Sequence, residues 1–434
     1  MISSASLLIY ATPLLLIWVI YLGSRRKSER HNIAIRDAAR EAGFTEPASL
    51  HPVIDPNVCV GCGSCVSACP EGRILGLIAG KAQLIKPSSC IGHGACKTAC
   101  PVNAISLVFG TATRGVDIPF VSPDFETNVP GMFIAGELGG MGLIRNAIEQ
   151  GRQAVESVRK LDGIGRTMPL DLVVVGAGPA GFSASLAAMQ HDLRAVTLEQ
   201  DTLGGTVSHF PRGKLVMTAP AHLPLVGKVR FTETNKEALL EFWQEVEVET
   251  GVEINYGERV ETIAEIDRGF EVKTTRGAYQ ARSVLLAIGR RGTPRKLDVP
   301  GEDLAKVVYR LTDPEQYRGK HVLVVGGGDS ALEAACSIAE ESGTSVTISY
   351  RGKAFSRAKE KNLRRIDDAE GAGRLRLVME SSVKIIEHDQ VDIERDGELL
   401  SFQNDAVIVC AGGILPTAFL RSIGITVEAK YGTG

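Results

Sequence analysis

The sequence is short of aromatic residues and of any excess charge. Phe, Trp and Tyr make up 5% of 434 residues, and 48 Lys and Arg against 51 Asp and Glu leave a net charge of −3. A chain with no basic field and few stacking side chains is not built to grip nucleic acid. It has one long hydrophobic run, which excludes a polytopic membrane protein. Hydrophobic and charged fractions of 44% and 23% exclude a largely disordered chain. Past Cys100, cysteine is scarce: only Cys336 and Cys410 remain. What is plentiful is glycine, 47 residues where an average chain has ~7%. Cysteine is concentrated too, with seven of the nine between Cys59 and Cys100. Such clustering points to metal rather than a disulfide framework. At ~150 residues per domain, the length allows about three domains.

The hydrophobic run is Ala5 to Gly23. At ~1.5 Å per residue it reaches about 28 Å, one hydrocarbon thickness. Pro13 interrupts it, and a kink is tolerated in a membrane helix. Arg25, Arg26, Lys27 and Arg30 follow. This one-sided positive cluster predicts that the rest of the chain stays cytoplasmic. A cleaved signal peptide is the rival, but the basic n-region and the A-x-A site are missing. The expectation is a single-pass anchor in the inner (cytoplasmic) membrane over residues 1–24, then a polar helix and linker over 25–50.

Cys59, Cys62, Cys65, Cys69 and Pro70 form C-x2-C-x2-C-x3-C-P, the spacing of bacterial [4Fe-4S] ferredoxins. Cys90, His93, Cys96, Cys100 and Pro101 repeat it about thirty residues on, with His93 at the second cysteine position. In two-cluster ferredoxins the fourth cysteine of each run serves the other cluster. Cluster one would take Cys59, Cys62, Cys65 and Cys100; cluster two would take Cys90, Cys96 and Cys69. For the second site three readings stay open: His93 binds iron, the cluster is [3Fe-4S], or there is no second cluster. Imidazole in place of thiolate removes negative charge and raises the potential, which would make the clusters unequal.

Two dinucleotide fingerprints follow. Asp171 to Val175 reads as a buried strand, then come Gly176, Gly178, Pro179, Ala180 and Gly181 and a helix of small residues. Such glycines permit a tight turn and bring backbone close to a pyrophosphate at a helix N-terminus. Glu199 ends the next strand, where it can hold a ribose hydroxyl. The second unit starts at Lys320, with Gly326, Gly328, Asp329, Ser330 and Ala331 at the turn. Its second strand ends in Arg351, Lys353 and Arg357 instead of an acid, which suits a 2′-phosphate and favours NADPH over NADH.

From Leu170 onward the chain resembles the thioredoxin-reductase-like flavoproteins. The resemblance implies an α/β fold with Rossmann-like FAD (167–304) and NAD(P) (305–411) domains and a return to the FAD domain over 412–434. It adds these to a small α+β ferredoxin domain (51–110) and the N-terminal transmembrane helix. Gly204, Gly205 and Thr206 resemble the segment beside the isoalloxazine. The family's closing motif, expected after "KYGTG", instead resembles Thr127 to Glu137, "TNVPGMFIAGE", followed by "GLIRNAIEQG". The flavoprotein therefore looks circularly permuted, with residues 111–166 as its displaced closing segment. That places Gly136, Glu137, Asn146 and Ala147 beside the flavin, Glu137 standing for the usual Asp and Asn146 for the usual Gln. Thioredoxin reductases carry a C-x-x-C in the NADPH domain, and here Cys336 and Cys410 read as buried packing residues. The expected function is hydride transfer from NADPH to FAD, then single electrons through the clusters to a carrier protein or quinone, or the reverse. No catalytic side chain is expected beyond those that position cofactors. A reductase of small disulfides and a non-turnover redox sensor are the rivals. Relatives of this class are often homodimers.

Overall fold

The computed structural model describes residues 4–41, 46–47, 50–90, 92–112, 115–140, 142–210, 212–217, 220–231, 233–290, 292–355 and 358–432. These fall into two compact units: Met1–Thr113 with Ala354–Glu360 and Gly432–Gly434, and Arg114–Lys353 with Lys361–Tyr431.

In the first unit one helix runs without a break from Ser4 to Glu41. No break falls at the expected boundary near Arg25. The residues after Gly23 are good helix formers, and tertiary contacts hold the end of the helix. Asn32, 6% exposed, donates to the Leu77 carbonyl at 3.0 Å, and Glu29 accepts the Ala79 amide at 2.6 Å. Both partners belong to the hairpin Leu75–Ile78 and Lys81–Leu84. The expected membrane span lies partly on side chains outside the described residues. Among the described residues, no helix is long and apolar enough to cross a membrane. The described apolar stretch, Leu14 to Tyr21, is exposed along its length, and Arg25, Arg26 and Lys27 follow in the same helix. The side chains of residues 5–11, which would complete the span, lie outside the described residues.

The rest of this unit is a pseudo-symmetric pair. Strands His51–Ile54 and Ile105–Val108 pair antiparallel, His51 opposite Val108. Short helices Ser64–Ser67 and Ala95–Thr98 each begin after a left-handed glycine, Gly63 and Gly94, with φ of 79° and 78°. Cys59, Cys65 and Cys96 share a small core with Leu75, Ala82 and Ile105.

The second unit carries two sheets built around parallel strands, one of them mixed. The larger orders Ile254–Tyr256, Ala195–Glu199, Leu170–Val175 and Ala278–Leu286, then two antiparallel strands. Strand Met132–Ile134, from upstream of the first fingerprint, pairs parallel with Ala278–Leu286, Phe133 opposite Leu285. Helix Ile144–Val158 then packs along Pro179–Gln190. Strand Val427–Lys430 pairs antiparallel with Val116–Pro119, and Asn128 clasps the Gly424 carbonyl and the Thr426 amide at 2.9 and 2.8 Å. The late chain and the displaced segment therefore form one continuous piece of tertiary structure. The smaller sheet is all parallel: Val307–Val308, Ala406–Val409, His321–Val325, Ser345–Tyr350 and Leu375–Met379.

Candidate functional site

The first turn is a backbone cradle at the C-terminal end of strand Leu170–Val175. A Cβ on Gly181 would meet the Gly176 carbonyl oxygen at 1.7 Å, so only glycine lets the helix start this close to the strand. Gly178 faces open space; a Cβ there would meet only the Gly204 oxygen, at 3.9 Å. Gly204 and Gly205 thus border the same cradle, with Thr206 next in the chain, and the gap suits a pyrophosphate. Glu199 is buried at its edge. Its carboxylate accepts the Ala177 amide at 2.7 Å and the Asp201 amide at 2.8 Å. Burial raises its pKa above the usual value, and these amides offset only part of that. Each oxygen keeps a lone pair for a ribose hydroxyl.

The displaced segment reaches the same place. Gly136 donates its amide to Gln150 Oε1 at 2.9 Å, and a Cβ on Gly136 would lie 3.0 Å from the Ala180 Cβ. Gly151 lets the two helices touch: a Cβ there would stand 2.0 Å from the Ala180 oxygen. Ala147 is buried on that helix face, and Glu137 opens the short turn after the strand. Sequence reasoning missed Gln150 and Gly151. An isolated glycine inside a helical pattern was the available signal.

At the second turn, Gly328 has nothing within 4 Å of a built Cβ, so its face is open. Asp329 starts helix Asp329–Ala339, and Asn362 donates to its carboxylate at 2.8 Å and to Glu333 at 3.2 Å. The Tyr350 ring closes over Gly327 and Gly352, 2.4 and 2.7 Å from where their Cβ atoms would be. Arg351 is exposed beyond it, and Lys353 stands 3.5 Å from Glu380. Arg357 lies outside the described residues. Cys336 is 3% exposed in the following helix, whereas Cys410 is half-buried rather than fully packed away.

In the first unit, Cys59, Cys62, Cys65 and Cys100 line one apolar cavity with Ile54, Ala82, Val102 and Ile105. That is one cysteine trio plus the last cysteine of the other run. Burial, then the neighbouring Cys59 and Cys62, push the Cys65 thiol up to about 11. Among the described residues no three His, Cys, Asp or Glu converge on a single metal ion. A cubane does not ask them to, because each thiolate binds its own corner. The four sulfurs and apolar wall suit such a cluster. Cys69, Cys90 and Cys96 form a second group near enough to influence one another's protons, with His93 Nε2 3.9 Å from Cys69 Sγ. Lys81, absent from the sequence reading, donates to the Cys59 carbonyl at 2.7 Å.

Two nucleotide-binding sheets in one unit and a doubled cysteine run in the other define a two-dinucleotide flavoprotein joined to a ferredoxin. The chain belongs to the pyridine nucleotide-disulphide oxidoreductase family, whose model matches residues 173–432, and a 4Fe-4S dicluster domain matches residues 51–101. It is an NAD(P)H-dependent flavin oxidoreductase, and its domains imply FAD and iron–sulfur clusters. The bacilliredoxin reductase of Bacillus subtilis is 27% identical over 267 residues, 60% of this chain and 82% of that protein. A ferredoxin–NADP reductase of Ignicoccus hospitalis is 29% identical over 268 residues, 60% of this chain and 83% of that one. The solved bacillithiol disulfide reductase of Bacillus cereus superposes with a TM-score of 0.52 at 25% identity, over 59% of this chain and 82% of its own.

Proposed function

We propose that this chain is a ferredoxin and its flavin reductase in one polypeptide, moving electrons between NADPH and a one-electron acceptor, a carrier protein or a quinone. When bound, NADPH and FAD exchange hydride and the clusters pass the same electrons singly, in either direction. The chain's own residues position these groups. Gly176 and Gly178 admit the FAD pyrophosphate, and Glu199 receives its ribose. Gly136, Glu137, Asn146 and Ala147 face the flavin ring from the displaced segment. Gly326, Gly328, Asp329 and Ser330 receive the second pyrophosphate, and Arg351 and Arg357 the 2′-phosphate.

The observation that carries this reading is that the second unit offers no pair of thiols while the first offers seven cysteines. Cys336 and Cys410 are 74 positions apart (410 − 336) and neither belongs to a C-x-x-C. Dithiol exchange lacks its nucleophile and resolving partner. The relatives named ferredoxin–NADP reductase support the same assignment, since a ferredoxin is here supplied in the same chain. Similarity to bacilliredoxin reductase favours a second reading, reduction of a small disulfide. An NADPH-dependent thiol–disulfide assay separates the two.

The exposed apolar stretch Leu14–Tyr21 and the basic residues after it support attachment to the inner membrane, with both units on the cytoplasmic face. Recovery of the full chain entirely in the soluble fraction without detergent overturns that part. The main test is an anaerobic NADPH titration that follows flavin bleaching and cluster EPR together. Both signals should respond. Clusters that stay oxidised, in a protein that also fails to reduce NADP+ from a low-potential donor, sink the proposal.

A further inference from the structure

We infer that the second cluster is held by three thiolates, Cys69, Cys90 and Cys96, and that His93 serves it as a hydrogen-bond donor to the Cys69 sulfur, not as a fourth ligand. The inference rests on the two-cluster reading of residues 51–101 and goes beyond it.

The two cysteine runs are local copies of one backbone. Gly61 and Gly63 have φ of 69° and 79°; Gly92 and Gly94 have 76° and 78°. The same four-residue helix follows each. His93 therefore sits where Cys62 sits in the first run, and Cys62 lines the sulfur cavity there. Position alone would make His93 a ligand. Its hydrogen bonds say otherwise.

The Ala95 amide donates to His93 Nδ1 at 3.2 Å. A nitrogen that accepts carries no proton, so the neutral ring holds its proton on Nε2. Nε2 lies 3.9 Å from Cys69 Sγ, within reach of an N–H to a large sulfur. Metal-bound histidines almost always show the reverse arrangement, one nitrogen on the metal and the other donating its N–H outward. Here the outward nitrogen accepts, and iron on Nε2 would put the ring proton on Nδ1, facing the Ala95 N–H that now donates there. The amide is fixed by the first turn of helix Ala95–Thr98, so the ring cannot exchange roles without losing that bond. An N–H directed at a ligand sulfur stabilises the reduced cluster and raises its potential. The fourth iron position of this cluster then has no protein ligand.

The test uses the full chain, isolated anaerobically with its clusters and flavin. Pulsed EPR of the reduced clusters, with and without 15N-histidine, should show no strongly coupled, directly bonded nitrogen. A strong histidine coupling overturns the inference on the unaltered protein, whatever any variant does. His93→Ala should keep the iron content and lower the midpoint potential of one cluster only. His93→Cys should supply the missing thiolate and lower that potential further. Loss of the second cluster in His93→Ala, with its return in His93→Cys, means His93 is a ligand and overturns the inference. A second run that loads no cluster in the unaltered chain overturns it too, yet leaves cluster one and the proposed electron path standing.

Discussion

The two nucleotide-binding halves are built from the chain in different ways. The smaller sheet comes from one stretch, Val307 to Val409. The core around the larger sheet draws on three: Val129 to Leu138, Val173 to Leu286, and Leu420 to Ile425. A strand edge accepts whatever segment reaches it with the right register and apolar face, and chain order does not enter. Segments whose ends lie together in space can be cut and rejoined without changing the packing. The pairing of Val427–Lys430 with Val116–Pro119 shows where such ends lie together here. The contrast teaches that the flavin half depends on residues on both sides of the NADP half, while the NADP half carries its own strands.

The largest test of that difference is Gly151→Leu. The Ala180 carbonyl is backbone and cannot retreat, so the closing helix must lift away. Overpacking of this kind costs about 3 kcal/mol, and flavin content should fall below roughly a tenth of normal while NADP+ still binds. Retention of stoichiometric flavin would break the comparison. Glu199→Ala should weaken FAD binding on the order of tenfold to a hundredfold, from the loss of charged hydrogen bonds to ribose, measured by flavin release. NADP+ affinity should not move. Arg351→Ala should act on the other half alone, raising KM for NADPH on the order of tenfold and leaving that for NADH unchanged.

The smallest effect sharpens the comparison within the flavin half. Burial by itself would raise the Asp171 pKa. The Arg194 guanidinium and the Gly165 and Arg194 amides outweigh burial and hold it below the usual range. The folded pKa is therefore lower than the unfolded value of about 3.9. Its contribution is complete above that value and is lost as pH falls through the folded one. Asp171→Asn should flatten stability below about pH 4, read by acid unfolding. Glu199 has the opposite sign. Its raised pKa gives a contribution present below the unfolded value of about 4.3 and lost as pH rises through the folded one.

Much of the chemistry was legible in spacing. The cysteine runs and glycine turns are short-range patterns, each dictated by the atoms it must hold. The doubled run also pointed to the grouping of Cys59, Cys62, Cys65 and Cys100, which line one cavity. Long-range features left weaker marks. Nothing in the polar run after Arg25 announces that Asn32 will be buried against Leu77, because that depends on a hairpin 45 residues away. Asn362 reaching Asp329, and Tyr350 covering Gly327, are likewise contacts that no local period encodes.

By itself the sequence determined the cofactor classes, the two nucleotide turns and the lack of a thiol pair, since each is a matter of which atoms stand at fixed offsets along the chain. Tertiary structure alone decided that one helix runs from Ser4 to Glu41 and that Gly151 sits against a carbonyl. Those outcomes turn on hydrogen bonds and contacts between segments. A one-dimensional pattern holds the partners but not their distance.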